Sequence, residues 1–244
     1  MKIGIFGDSF GDPTFPVIKN NTPSWIEILE RRYDNVVSYA QPGSSLYYSI
    51  DKFKTHNRKY DKNIFLVTEP ARMWAAEFDV YPPAHRFFPG LDTILDHINW
   101  QKNPMNHYDR TPAEIHHALK VLDASVIYKV YIQNIEEEIY KHNLMVNDLQ
   151  KKSNIILIPC FPDSVHGTRK HCLFDIYKKE NLAWGFELPD KPDISKDNRC
   201  CHMTAENNAI LAEKLINSID NNVPFSLNID DFFTPMNKEF YINE

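Results

Sequence analysis

Gly7-Asp8-Ser9-Phe10-Gly11 follows directly on an apolar run, Lys2 to Phe6, that reads as a buried strand. In an open parallel sheet, ligands bind beyond the carboxyl ends of the strands. A serine between two glycines at such a place can turn its hydroxyl to a cleft, and a helix after the turn would aim N–H groups at a developing oxyanion. The plainer reading is a tight turn in which Asp8 or Ser9 acts as a cap. Near the other end of the chain, Cys201-His202-Met203-Thr204 stands just before a helix-forming run. Serine is a weak nucleophile at neutral pH and needs a base such as imidazole to take its proton. Ser9 and His202 are therefore a candidate nucleophile and base. Asp193 and Asp197 lie shortly upstream, and either can hold the imidazole in the required tautomer.

Other reactive side chains carry less. Cys160, His166, His171, Cys172, Cys200, Cys201 and His202 are all of zinc-ligand type. Their spacing is irregular and holds no CxxC pair, so no metal site is expected. Cys160, at the end of an apolar strand, reads as a small core hydrophobe. His85, His97, His107, His116 and His117 are scattered and receive no role.

The elements that must position Ser9 and His202 alternate. After the first strand, Thr22-Pro23-Ser24 opens a helix whose apolar face carries Trp25, Ile28 and Leu29. Asn35 to Ala40 is a second strand, closed by Gln41-Pro42-Gly43. Ser44 or Ser45 caps a helix running to about Lys54, and Lys62 to Val67 is a third strand. This order predicts a parallel sheet with helices on its faces. The rhythm breaks at Arg72. Residues to about 123 are rich in aromatics, Pro, His and Asn, and read as an insertion (73–123), partly helical from Ala113 to Leu122, which either shapes a substrate site or elaborates the surface. A helix over Val126 to Lys151 sets Ile132, Ile135, Ile139, Val146 and Leu149 on one face. Asn154 to Pro159 is the fourth strand, and Phe161 to Arg199 is irregular. Thr204 opens a last helix with Leu211, Leu215 and Ile219. The tail (220–244) carries Phe225, Phe232, Phe233, Phe240 and Tyr241, aromatics expected to pack on the domain.

The bulk composition bounds the function classes. At 244 residues, 43% of them hydrophobic, the chain is expected to form one domain with a core that needs no staples. Its 27 basic against 33 acidic residues give a net charge of −6, without the cationic surplus that phosphate neutralisation requires. Nucleic acid is not an expected partner. No apolar run is long enough to span a bilayer, and the first residues lack the pattern of a signal peptide. The expectation is a cytoplasmic, reducing location with four free cysteines.

Taken in order along the chain, these motifs resemble those of the SGNH (GDSL-like) hydrolases. Gly7-Asp8-Ser9 resembles the family's nucleophile block. Tyr39-Ala40-Gln41-Pro42-Gly43-Ser44-Ser45 resembles its second block, Ile64 to Arg72 stands in the place of its third, and His202 with Thr204 and a helix matches its last. The resemblance spans nearly the whole chain. It implies a flavodoxin-like three-layer α/β sandwich around a mostly parallel sheet, here with a long insertion. It further implies an esterase that removes acyl or acetyl groups from carbohydrates or lipids, without a cofactor. Ser9 would be the nucleophile, His202 the base and Asp197 its orienting acid, with the N–H groups of Ser9 and Gly43 as oxyanion donors.

Three departures accompany it. The third block usually supplies an asparagine amide in Gly-x-Asn-Asp, where this chain reads Val67-Thr68-Glu69-Pro70-Ala71-Arg72. Thr68 and Arg72 are the substitutes at hand, and losing one oxyanion donor costs about a hundred- to a thousand-fold in rate. The family's aspartate stands three residues before the histidine, at the position of Arg199 here, whereas Asp197 is five before. Ser38 occupies a place where related sequences often have asparagine. A third block bearing Thr and Arg resembles SGNH-like proteins of some large tailed phages, which implies a surface glycan as substrate and association with a virion. Two other function classes stand beside the esterase: a non-catalytic binding or structural module on the same fold, and an acyltransferase that uses the same nucleophile but excludes water.

Overall fold

The computed structural model describes residues 1–13, 23–41, 44–70, 134–161, 171–176, 203 and 205–232. The insertion expected at 73–123 lies outside them. Four strands, β1 (Lys2–Phe6), β2 (Asn35–Ser38), β3 (Lys62–Val67) and β4 (Ile155–Pro159), form one sheet in the order β2-β1-β3-β4, every neighbouring pair parallel. Among the described residues, four helices of eight residues or more accompany them: α1 (Trp25–Arg32), α2 (Leu46–His56), α3 (Ile135–Gln150) and α4 (Ala205–Asp220). Among the described residues, no helix is long and apolar enough to cross a membrane.

Strand periodicity divides the core into two layers. Ile3, Ile5, Ile64, Leu66, Ile156 and Ile158 face Trp25, Ile26 and Leu29 of α1 and Leu211, Leu215 and Ile219 of α4. Phe6, Phe65 and Val67 face Leu46 and Phe53 of α2 and Val146 and Leu149 of α3. The partition follows from handedness. The chain steps one way from β1 to β2 and the other way from β2 to β3 and on to β4. Right-handed crossovers in opposite directions place their helices on opposite faces. Fully burying each of these large apolar side chains contributes about 1.5–3 kcal/mol, and their two-sided placement explains why the strands read as continuous apolar runs.

The helices start where local chemistry satisfies their free amides. Ser24 and Glu27 form a capping box on α1: the Ser24 side chain accepts from the Glu27 N–H, and the Glu27 carboxylate accepts from the Ser24 N–H at 2.7 Å. Of the two serines expected to cap α2, Ser45 does so, accepting from the Tyr48 N–H. The two helices of the first layer run side by side and are tied at both ends. At their starts, Asn208 Oδ1 accepts from the Trp25 N–H at 3.1 Å. At their ends, the Asp220 carboxylate accepts from Arg32 and from the Tyr33 hydroxyl, each at 2.9 Å.

Boundaries shift modestly from expectation. β2 ends at Ser38 rather than Ala40, yet Tyr39 and Gln41 still donate to Ile5 and Gly7 of the β1 side. Described residues of the third helix begin at Ile135, and its buried stripe is His142, Val146 and Leu149; Ile135 and Ile139 are only half-buried. Residues 173–176, in a stretch read as irregular, are helical and bury Leu173 and Ile176. In the tail, Phe232 is buried in the first core layer and Phe225 packs against it; Phe233, Phe240 and Tyr241 lie outside the described residues.

Among the described residues, two buried side chains hold polar atoms without a hydrogen-bond partner, Asn63 and Thr68. Asn63, in β3 on the α2/α3 face, is fully buried, and neither amide atom is bonded to a described residue. Burying such an amide costs about 1–3 kcal/mol, which an apolar side chain of fitting shape would not incur. Asn63→Val, β-branched and suited to a strand, is expected to raise stability by about 1 kcal/mol in urea denaturation. An unchanged or lower midpoint would show that buried water serves the amide.

Candidate functional site

The strand order turns back between β1 and β3, so the connections leaving their carboxyl ends lead to opposite sides, the switch point at which open α/β sheets generally bind ligands. Gly7 is the first residue past β1. Its φ of 149° and the 2.3 Å that would separate an added Cβ from Leu66 Cβ exclude any other residue. The next residues form one 3₁₀ turn, Ser9–Gly11. Asp8 caps it by accepting the Phe10 N–H at 3.2 Å, and Gly11 donates to the Asp8 carbonyl at 2.9 Å. A Cβ on Gly11 would lie 2.3 Å from Leu66 Cδ1. The turn is thus folded down onto β3. Asp8 is fully buried, Ser9 half-buried, and among the described residues none hydrogen-bonds the Ser9 hydroxyl.

The segment after β2 is stitched to this turn. The Gly7 carbonyl accepts from the Gln41 N–H at 3.0 Å and from the Ser44 hydroxyl at 2.7 Å. Ser38 donates its hydroxyl to the Gly11 carbonyl and accepts the Ala40 N–H. Ser38 therefore serves as a backbone clamp where an asparagine was expected. Gln41 and Ser44 flank Pro42 and Gly43, so the segment bearing the expected oxyanion glycine starts and ends beside the Gly7–Gly11 turn. Gly43 itself lies outside the described residues.

A relay of hydrogen bonds links the turn to the last helix. Trp25 Nε1–H donates to the Phe10 carbonyl at 2.9 Å, and the Trp25 backbone N–H, one of α1's unpaired first-turn amides, donates to Asn208 Oδ1 at 3.1 Å. Asn208 Nδ2 in turn donates to the Met203 carbonyl at 2.9 Å. All four residues are buried: Phe10 at 4%, and Trp25, Asn208 and Met203 at 2% each. The residue following Ser9 and the residue following His202 are joined through two side chains. His202, Asp193, Asp197 and Arg72 lie outside the described residues.

Thr68, directly after β3, is wholly buried, and among the described residues its hydroxyl has no hydrogen-bond partner. Its carbonyl meets His142 Nε2 of α3 at 2.9 Å. A carbonyl only accepts, so Nε2 carries the proton. Burial holds the His142 imidazole below its ordinary value, opposed in part by this bond. Of the cysteines, Cys160 and Cys172 are both buried. Cys172 donates its thiol to the Asp175 carboxylate at 3.1 Å, and burial, with that acceptor, pushes it up to about 12. A thiol so buried and so weakly acidic is no nucleophile. Trp25 as a linker, Asn208 and His142 were not singled out from the sequence. Asn208 and His142 each occupy a polar position on an otherwise apolar helical stripe, Asn208 in register with Leu211, Leu215 and Ile219, and His142 with Val146 and Leu149.

No protein-family model, curated protein or solved structure matches this chain.

Two outcomes follow from these contacts. Asn208→Leu leaves the Trp25 N–H and the Met203 carbonyl buried without partners. At about 1–3 kcal/mol for each such group, it should lower unfolding stability by about 2–4 kcal/mol; a loss below about 0.5 kcal/mol in urea would show that the relay is not structural. For His142, the folded chain resists a proton that the unfolded chain accepts at its ordinary value near 6.5. The stability this preserves is complete above about pH 6.5 and declines as pH falls toward the depressed native value. The urea midpoint of the wild type should therefore drop more between pH 7 and 5.5 than that of His142→Gln, and parallel curves would contradict the assignment.

Proposed function

We propose that the chain is a serine hydrolase of the SGNH type, cleaving an ester through an acyl-enzyme. The observation that carries this reading is the buried relay from Phe10 through Trp25 and Asn208 to Met203, because it draws the neighbours of Ser9 and His202 into one cluster. Ser9 Oγ attacks the ester carbonyl carbon while His202 takes its proton, and the carbonyl electron pair moves onto oxygen. The N–H groups of Ser9 and Gly43 receive that charge, with Thr68 and Arg72 standing where the third donor belongs. On collapse the C–O bond to the alcohol breaks, and the alcohol leaves with the proton from His202. Water then gives a proton to His202 and attacks the acyl carbon; as the C–O bond to Ser9 breaks, His202 returns that proton to Oγ and the acid leaves. Asp197, or Asp193, holds the imidazole. No step calls for a cofactor. The substrate is an acyl or acetyl ester of a carbohydrate or lipid-like molecule, a surface glycan if the protein belongs to a virion.

A second reading, a binding or structural module on the same architecture, is favoured by one observation. Thr68 is wholly buried, while an oxyanion donor must meet the substrate.

Short-chain aryl-ester hydrolysis and labelling by a serine-directed fluorophosphonate separate the two. Ser9→Ala should abolish labelling, and both Ser9→Ala and His202→Ala should lower kcat by about a thousand-fold or more. Equal labelling of wild type and Ser9→Ala would overturn the hydrolase reading, and a folded but inert wild type would establish the module.

A further inference from the structure

The end of β3 carries a contact that neither the fold nor the acyl chemistry just described requires. Val67 is the last residue of β3 in register with β4, opposite Pro159, and its carbonyl accepts the Cys160 N–H at 2.9 Å. Past it comes Thr68, whose buried hydroxyl is bonded to no described residue. What grips this residue is the His142 imidazole, 3% exposed, donating to its carbonyl at 2.9 Å. The donor comes from the opposite side of the chain's long central stretch and sits on the helical stripe that Val146 and Leu149 continue into the core. A polar residue is costly there unless its bond is made.

The pinned strand end is also what the Ser9 turn rests on. Leu66, fully buried and two residues before Thr68, lies against Gly7 through its Cβ and against Gly11 through its Cδ1, at distances that leave no room for a methyl group on either glycine. Ser9 is between those two contacts. A close-packed contact of this kind passes a displacement on rather than absorbing it.

We propose that His142 is a positioning residue for the Ser9 nucleophile: by pinning the Thr68 carbonyl it fixes the end of β3, and through Leu66 it sets where the Gly7–Gly11 turn holds the serine. The inference rests on the hydrolase reading for its catalytic consequence, but the mechanical link from α3 to the turn is independent of it. A shift of about 1 Å in a reacting group is enough to cost up to about a hundred-fold in rate. A buried bond two contacts away should command a smaller part of that.

The test compares His142→Leu, which removes the donor, with His142→Gln, whose amide nitrogen can take the place of Nε2. His142→Phe keeps a ring without the donor and serves if His142→Leu does not fold. All are assayed well below their melting temperatures, with folding verified by circular dichroism. In the donor-less variant, the second-order rate of fluorophosphonate labelling at Ser9 and kcat for an aryl ester should fall about five- to ten-fold with KM unchanged. His142→Gln should restore most of that loss. Amide hydrogen exchange should quicken at Thr68–Glu69 and at Ser9–Gly11 in the donor-less variant and return toward wild type with Gln. A merely structural histidine would lower the melting temperature and leave the labelling rate and kcat of the folded protein alone. Wild-type labelling rates in His142→Leu or His142→Phe, or a Gln variant as impaired as either, would overturn the proposal. If wild type and Ser9→Ala label equally, the hydrolase reading fails and exchange decides alone. Faster exchange at Ser9–Gly11 then upholds the mechanical link, and unchanged exchange there overturns it.

Discussion

The carboxyl edge of the sheet depends on one side-chain amide. Asn208 is a single group with an acceptor and donors on opposite sides, and it uses both, taking the first N–H of α1 and giving to the carbonyl of Met203. No apolar residue could do this, because the two backbone groups it joins need opposite partners. Trp25 extends the bridge: its indole gives its N–H to the carbonyl of Phe10, inside the Ser9–Gly11 turn. The chain's first and last described α/β segments are thereby locked together at the carboxyl end of the sheet. The ion pair at the other ends of the same two helices, Asp220 with Arg32 and Tyr33, fixes their alignment but sits partly in water. Exposed pairs of that kind add about 0–1 kcal/mol. The buried amide matters more, since its loss would strand polar groups where water does not reach.

Sheet topology supplies the other half of the geometry. Once β1 is central and β2 and β3 lie on either side of it, handedness alone sends α1 and α2 to opposite faces, and the crevice opens above β1 and β3. Two glycines make that crevice usable. At Gly7 the backbone turns with a positive φ directly against Leu66, and at Gly11 the turn closes onto the same side chain. The turn can lie so near to β3 only because neither position bears a Cβ. Ser38 and Ser44 then bind the next segment to the carbonyls of Gly11 and Gly7. The short, bonded approach of these two segments is held by serine hydroxyls on backbone carbonyls, together with the Gln41 N–H on the Gly7 carbonyl.

Much of the architecture was legible in the sequence, for a simple reason. Strands buried on both faces are largely apolar runs, and Ile64 to Val67 and Ile155 to Pro159 stand out as such. Capping residues marked the starts of α1 and α2. The end of β2 was overestimated because Tyr39 and Gln41 keep bonding to β1 after regular pairing ends. Harder to read were Asn208 and His142. On a helical wheel each is a polar interruption of an apolar stripe, and periodicity treats such a residue as noise or as an edge. Whether it is noise depends on a backbone partner far away in sequence, Trp25 for the one and Thr68 for the other. Single-chain patterns hold no term for that distance. A polar side chain in register with a strong apolar stripe is nonetheless a usable marker, since burial there is tolerable only with a partner.

The turn at Ser9 admitted two readings, a capped tight turn and a nucleophile site; the structure shows the capped turn, and its cap is Asp8 rather than Ser9. Asp8 does cap the turn: its carboxylate is fully buried and takes the Phe10 N–H. That bond gives Asp8 a local structural task. Ser9 keeps a half-buried side chain with no bond to any described residue. A serine that capped the turn itself would have its hydroxyl occupied by a backbone amide and would have to break that bond before attacking a carbonyl. With Asp8 as the cap, the hydroxyl of Ser9 is bonded to no described residue, while the turn holds its backbone in a fixed place. Capping is thus confined to Asp8, and the order Asp-Ser, rather than either residue alone, is what lets a capped turn carry a serine hydroxyl that does not serve as the cap.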